Sequence, residues 1–146
     1  MIENERQYRI SKAWVEKFTR SAEQLAQSTV PADPAIRAAM VAQYESQLEE
    51  LQHDLAEYEA LRDGQVTSLE VESLAALPDA LIQARIAAGL TQKELAARLS
   101  LKEQQVQRYE ATRYAGVSWE RMQAVVDALG VRIRQRLTLA PAARAS

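Results

Sequence analysis

The chain has 146 residues, of which 47% are hydrophobic and 26% charged, with no cysteine, one histidine and a net charge of −2. That length holds one ordinary domain, or a compact domain with a helical appendage. The lack of cysteine excludes disulfides and thiolate metal sites and fits a reducing compartment. No apolar run approaches a membrane span, and the charged first residues do not resemble a signal peptide, so a soluble cytoplasmic chain is expected.

Four Gly and four Pro are few, and the abundance of Leu, Ala, Glu, Gln and Arg favours helices over strands. The small net charge hides a division. Residues 1–79 carry 7 Lys/Arg against 15 Asp/Glu, a net −8, whereas residues 80–146 carry 11 against 5, a net +6. Such asymmetry suits a basic surface for an anionic partner attached to an acidic module.

From Glu3 to about Gln27 there is no Gly or Pro, and Tyr8, Val15, Phe18, Ala22 and Leu25 recur with helical spacing. The run Ser28 to Pro34 breaks that helix. Asp33 followed by Pro34 has the form of an N-cap with proline at the first helical position, and Gly64 suits the position just past the end of a second helix running to Asp63. Along this helix Val41, Tyr44, Leu48, Leu51, Leu55 and Tyr58 alternate steps of three and four, the seam of a coiled coil, flanked by Glu49, Glu50, Glu57 and Glu59. Residues 1–64 are therefore expected to form a helical hairpin, with any stripe left over available for dimerisation or a protein partner.

Residues 65–77 form a linker in which Val66 to Val71 is either a short strand or simply extended. At the other end, residues 131–139 alternate apolar with polar, three of the polar ones being Arg132, Arg134 and Arg136. That is the pattern of a half-buried strand, and a short C-terminal β-strand is expected within residues 132–146. It would pair either with the same strand of a second copy or with Val66 to Val71. The fold class expected is all-α with this one added strand.

The segment 78–131 carries the densest signals. Leu81, Ile82, Arg85 and Ile86 share a helix that Gly89 ends. Thr91-Gln92-Lys93-Glu94 is a capping box opening a short helix to Leu99, and a break at Ser100-Leu101 leads into a further short helix from Lys102 to Ala111, with Val106 and Tyr109 facing inward. Two short helices joined by such a turn form a helix-turn-helix, and Ala96 and Ala97 let the helices lie close.

The residues Leu81-Ile82-x-x-Arg85, Gly89-Leu90-Thr91-Gln92-x-Glu94-Leu95-Ala96, Val106-Gln107-Arg108-Tyr109-Glu110 and Ala128-Leu129-Gly130-Val131 together resemble the Xre/Cro family of phage-repressor-like regulators. The resemblance implies double-stranded DNA as partner. It places Lys102, Glu103, Gln104 and Gln107 at base edges, Gln92 on a phosphate while bracing the recognition helix, and Arg98, Arg108 and Arg113 near the DNA backbone. Gln suits adenine and Glu the cytosine amino group. For Glu103 a second reading stands equal, a favourable charge at the helix N-terminus. Ser100 and Thr112 depart from the family pattern, each standing where a glycine is usual, and the loop through Tyr114-Ala115-Gly116-Val117 is about one residue longer than that pattern.

His53 stands beside Asp54 at no metal-ligand spacing, no nucleophile motif is present, and Trp14 and Trp119 fall on apolar helix positions expected to be core. No enzyme, metal or cofactor is expected. The resemblance implies a homodimeric repressor on a palindromic operator, commonly of its own gene. The alternatives are an antitoxin whose acidic hairpin grips a toxin, and a coiled-coil adaptor without DNA binding.

Overall fold

The computed structural model of the chain describes residues 1–141, whose regular elements are all helical. Its elements are α1 (Glu5–Gln27), α2 (Pro34–Arg62), a 3₁₀ turn (Leu74–Ala76), α3 (Leu77–Ala87), α4 (Gln92–Arg98), α5 (Glu103–Ala111) and α6 (Trp119–Leu129). No helix of the described residues is long and apolar enough to cross a membrane.

Local chemistry sets the helix ends. The Asn4 side chain accepts from the Gln7 amide at 2.9 Å to start α1, and that of Asp33 accepts from the Ala35 amide at 2.8 Å to start α2 ahead of Pro34. Gly64 follows α2 with φ +73°, and the amides of Gly64 and Gln65 close onto the carbonyls of Leu61 and Ala60.

α1 and α2 pack antiparallel along their apolar stripes. Tyr8 stacks on Tyr58 with ring centroids 5.2 Å apart, and the same register brings Phe18 to Tyr44 at 5.7 Å. The Tyr8 hydroxyl donates to Glu59 at 2.6 Å, and the Arg62 guanidinium lies 4.9 Å from the Tyr8 ring. Two helices cannot enclose a seam from all sides. Its domain-proximal members Leu55, Tyr58 and Leu61 are buried, while Val41, Tyr44, Leu48 and Leu51 are only half-buried.

The proximal end of the hairpin shares one continuous core with the remaining helices. Ile2, Tyr8, Leu55, Tyr58 and Leu61 join Leu81, Ile82, Leu95, Val106 and Val125. Each fully buried Leu or Ile contributes about 1.5–3 kcal/mol of transfer free energy, so this shared core holds the hairpin against the C-terminal bundle.

The short C-terminal β-strand expected within residues 132–146 is not present: among the described residues there is no strand. Gly130, at φ +67°, ends α6, the Val131 amide returns to the Val126 carbonyl, and the chain beyond runs on without a ladder. Period-two alternation tells which residues share a face but supplies no partner for the backbone, and the segment around Val66 to Val71 is likewise unpaired. Ile133 lines a small cleft with Leu77, Trp119, Met122 and Val126, whereas Leu137 and Leu139 are 87% and 85% exposed. Residues 142–146 of the expected tail lie outside the described residues.

The two tryptophans also depart from expectation. Trp14 and Trp119 are surface residues, 41% and 62% exposed, rather than core. Trp14 lies against Phe18 with ring centroids 5.2 Å apart, and Trp119, the first residue of α6, borders the cleft lined by Leu77 and Ile133.

Candidate nucleic-acid interface

The turn between α4 and α5 fixes the geometry of the site. Thr91 Oγ1 accepts from the Glu94 amide at 3.1 Å and the Glu94 carboxylate accepts from the Thr91 amide at 2.8 Å, the reciprocal cap expected from the sequence. The bond from the Thr91 amide foremost, and a second donated by the Thr91 hydroxyl at 3.0 Å, hold the Glu94 carboxyl below the usual carboxylate range. Two residues past the end of α4, Ser100 adopts φ +56° where glycine is the unstrained residue, and the Leu101 amide closes onto the Ala96 carbonyl at 2.8 Å. Ala96 is buried at the crossing, letting α5 lie close against α4.

α5 begins one residue later than the sequence suggests, with Lys102 as its N-cap. The Lys102 amide donates to the Gln105 side chain at 3.1 Å, which commits Gln105 to the cap. Val106 and Glu110 are buried, and Lys102, Glu103, Gln104, Gln107 and Arg108 are exposed. Positions 103, 104, 107 and 108 are three and four apart, so they form one polar face opposite the packed one. Gln107 Nε2 donates to Glu103 Oε1 at 3.3 Å, while Gln104 makes no side-chain hydrogen bond among the described residues.

Beneath this face lies a buried ion pair. Arg85 on α3 and Glu110 on α5 are 2% and 0% exposed; Nε donates to Oε1 at 2.6 Å and Nη2 to Oε2 at 2.9 Å, a bidentate fork. Arg85 Nη1 further donates to the Leu90 carbonyl at 2.8 Å, and Nη2 to the Glu3 carbonyl at 2.6 Å. Gln92 Nε2 completes the network by donating to Glu110 Oε2 at 2.7 Å. Gln92 thereby ties α4 to α5, and its remaining amide atoms face outward from a half-buried residue.

The expected backbone ligands are placed differently from one another. Arg108 is exposed and lines a cleft of about 340 Å³ with Thr112, Ser118 and Arg121, so the geometry brings in Arg121, which sequence reasoning had not selected. Arg98 Nη1 donates to the Ala128 carbonyl at 2.9 Å and so caps the end of α6. Arg113 forms ion pairs with Glu3 and with Asp79, the latter at 2.9 Å, and these carboxylates keep its guanidinium firmly charged. Arg113 and Tyr114 both have positive φ, at +53° and +58°, in the loop that departs from the family pattern. The Tyr114 hydroxyl is buried with no hydrogen-bond partner among the described residues, and burial raises its pKa.

Arg85 and Glu110 stand at motif positions in the sequence, but their pairing is not evident there. The available signal was a charge on each inward face, Arg85 between Ile82 and Ile86 and Glu110 beside Val106 and Tyr109. Nothing in sequence indicated Glu3, 82 positions from Arg85. Among the described residues no group of three His, Cys, Asp or Glu could hold a metal ion.

Two short helices crossing at a tight turn, with a packed inner face and a polar outer one, are a helix-turn-helix. Residues 81–135 match the family model described as Helix-turn-helix, and this segment is similar to that family. No curated protein and no solved structure matches the chain.

Proposed function

We propose that the chain is a sequence-specific, double-stranded-DNA-binding transcriptional repressor in which the outer face of α5 reads base edges in the major groove. The observation that carries this reading is the exposure of Lys102, Glu103, Gln104 and Gln107 on one edge of α5, while Val106 and the Arg85–Glu110 pair fix the other. Gln104 is the strongest reader, because no internal bond competes for its amide and Gln pairs bidentately with adenine. Arg108 and the outer amide atoms of Gln92 supply backbone contacts that set position rather than sequence.

The repressor acts as a homodimer on a palindromic operator, since two copies related by a two-fold axis present two recognition helices about 34–36 Å apart. Support comes from apolar surface left without cover: Trp119 at the start of α6, and Ile10, Trp14, Ile36 and Met40 on the hairpin, each more than 40% exposed. The same hairpin residues favour a second reading, in which the hairpin also holds a protein partner in the manner of an antitoxin. Gln104→Ala tests the primary reading. It should cost about 1–3 kcal/mol on a duplex selected by the protein and little on random duplex. Equal loss on both would show that Gln104 reads no base.

A further inference from the structure

Arg113 is held by two acids that come from different parts of the fold. Its Nη2 pairs with the Glu3 carboxylate, its Nε with Asp79 on α3 at 2.9 Å, and its Nη1 donates to the Glu110 carbonyl at 2.8 Å. Glu3 belongs to the segment that seats the hairpin: its neighbour Ile2 is buried in the shared core, and its own carbonyl accepts from the buried Arg85. Glu3 is thus fixed through its backbone, and its carboxylate is delivered to Arg113 only while that segment is docked.

A phosphate ester uses the same guanidinium fork as a carboxylate, so the two compete for Arg113. Two carboxylates around one guanidinium also leave a net negative charge two residues beyond the end of the recognition helix, at a side chain that is 42% exposed. We propose that Glu3 is an internal competitor of the DNA backbone at Arg113. In the free protein the clasp is closed. When a phosphate takes Arg113 the Glu3 carboxylate is released, and DNA binding is thereby coupled to loosening of the segment that docks the hairpin. Coupling of this kind is reciprocal, so any ligand of the hairpin that favours the undocked segment tightens DNA binding, and one that clamps it weakens DNA binding. The clasp rests on DNA binding by the helix-turn-helix domain and names a regulator of it.

The test is binding of the full chain to a random-sequence duplex of about 30 base pairs across about 50 to 200 mM salt. Glu3→Gln keeps the backbone carbonyl on Arg85 and removes the competing charge. It should tighten binding about three- to tenfold at low salt and steepen the log–log salt slope by about 0.9, the signature of one added phosphate contact. Glu45→Gln, an equal charge change on the exposed middle of α2, should leave both unchanged. In an Arg113→Gln background Glu3→Gln should become silent. Glu3→Asp, one methylene shorter, should shift affinity in the same direction and serves if Glu3→Gln does not fold. The proposal is overturned if Glu3→Gln behaves like Glu45→Gln, or if its effect survives in Arg113→Gln. Failure of the parent chain to bind any duplex would instead remove the DNA-binding reading itself.

Discussion

Glu110→Ala is expected to destabilise the chain by about 3–5 kcal/mol, the usual result of stranding one partner of a buried ion pair. Against a total stability of about 5–15 kcal/mol, that loss leaves a large unfolded fraction. The cause is specific. Arg85 would remain 2% exposed with its fork facing a void, and Gln92 would lose the acceptor that ties α4 to α5. The double change Arg85→Met with Glu110→Leu removes both charges and fills similar volume, so it should cost much less than either single change. Denaturant midpoints at constant m-value measure this. A Glu110→Ala loss below about 1 kcal/mol would mean that the pair is not what fixes α3 against α5.

The steepest solution response is expected from salt. Lys93, Lys102, Arg108 and Arg121 have no carboxylate partner among the described residues, and Arg98 and Arg113 are otherwise engaged. About four Lys and Arg charges at the DNA surface per subunit, the base-facing Lys102 among them, give a log–log slope near −3.6, or roughly a hundredfold loss of affinity between about 50 and 200 mM salt. A two-fold dimer on a palindrome doubles the slope and squares the loss, to about ten-thousandfold. Titrations with sedimentation on the same samples separate these cases. A slope near −3.6 with a monomer in the centrifuge would sink the dimer, and no dependence on salt would sink the phosphate contacts altogether.

Most of the helical framework was legible because its signals are local. Asp33-Pro34, Gly64, Gly89 and the Thr91–Glu94 box each act within one turn of their own position, and each stands at a helix end in the fold. The exposed face of α5 follows from a spacing of three and four, again a local property. What was not legible depends on partners distant in sequence. The alternation at 131–139 is a true pattern of faces, yet a strand exists only where another backbone supplies hydrogen bonds, and none does. Arg98 and Arg113 looked equivalent to Arg108 as basic residues near a recognition helix. Only the fold reveals that Arg98 reaches the Ala128 carbonyl and that Arg113 meets Glu3, 110 positions away. Trp14 failed for a related reason: helical periodicity finds the stripe but not its width, and a two-helix hairpin leaves one flank of each stripe in solvent.

The central claim, that the outer face of α5 reads sequence in double-stranded DNA, is tested most directly by comparing two affinities at one salt concentration. A duplex enriched by the full chain from a random pool is titrated beside an unselected duplex of equal length, near physiological ionic strength. The account predicts that the selected duplex binds at least about a thousandfold more tightly, the lower end of what base readout supplies. Equal affinity for the two, however tight, would contradict it.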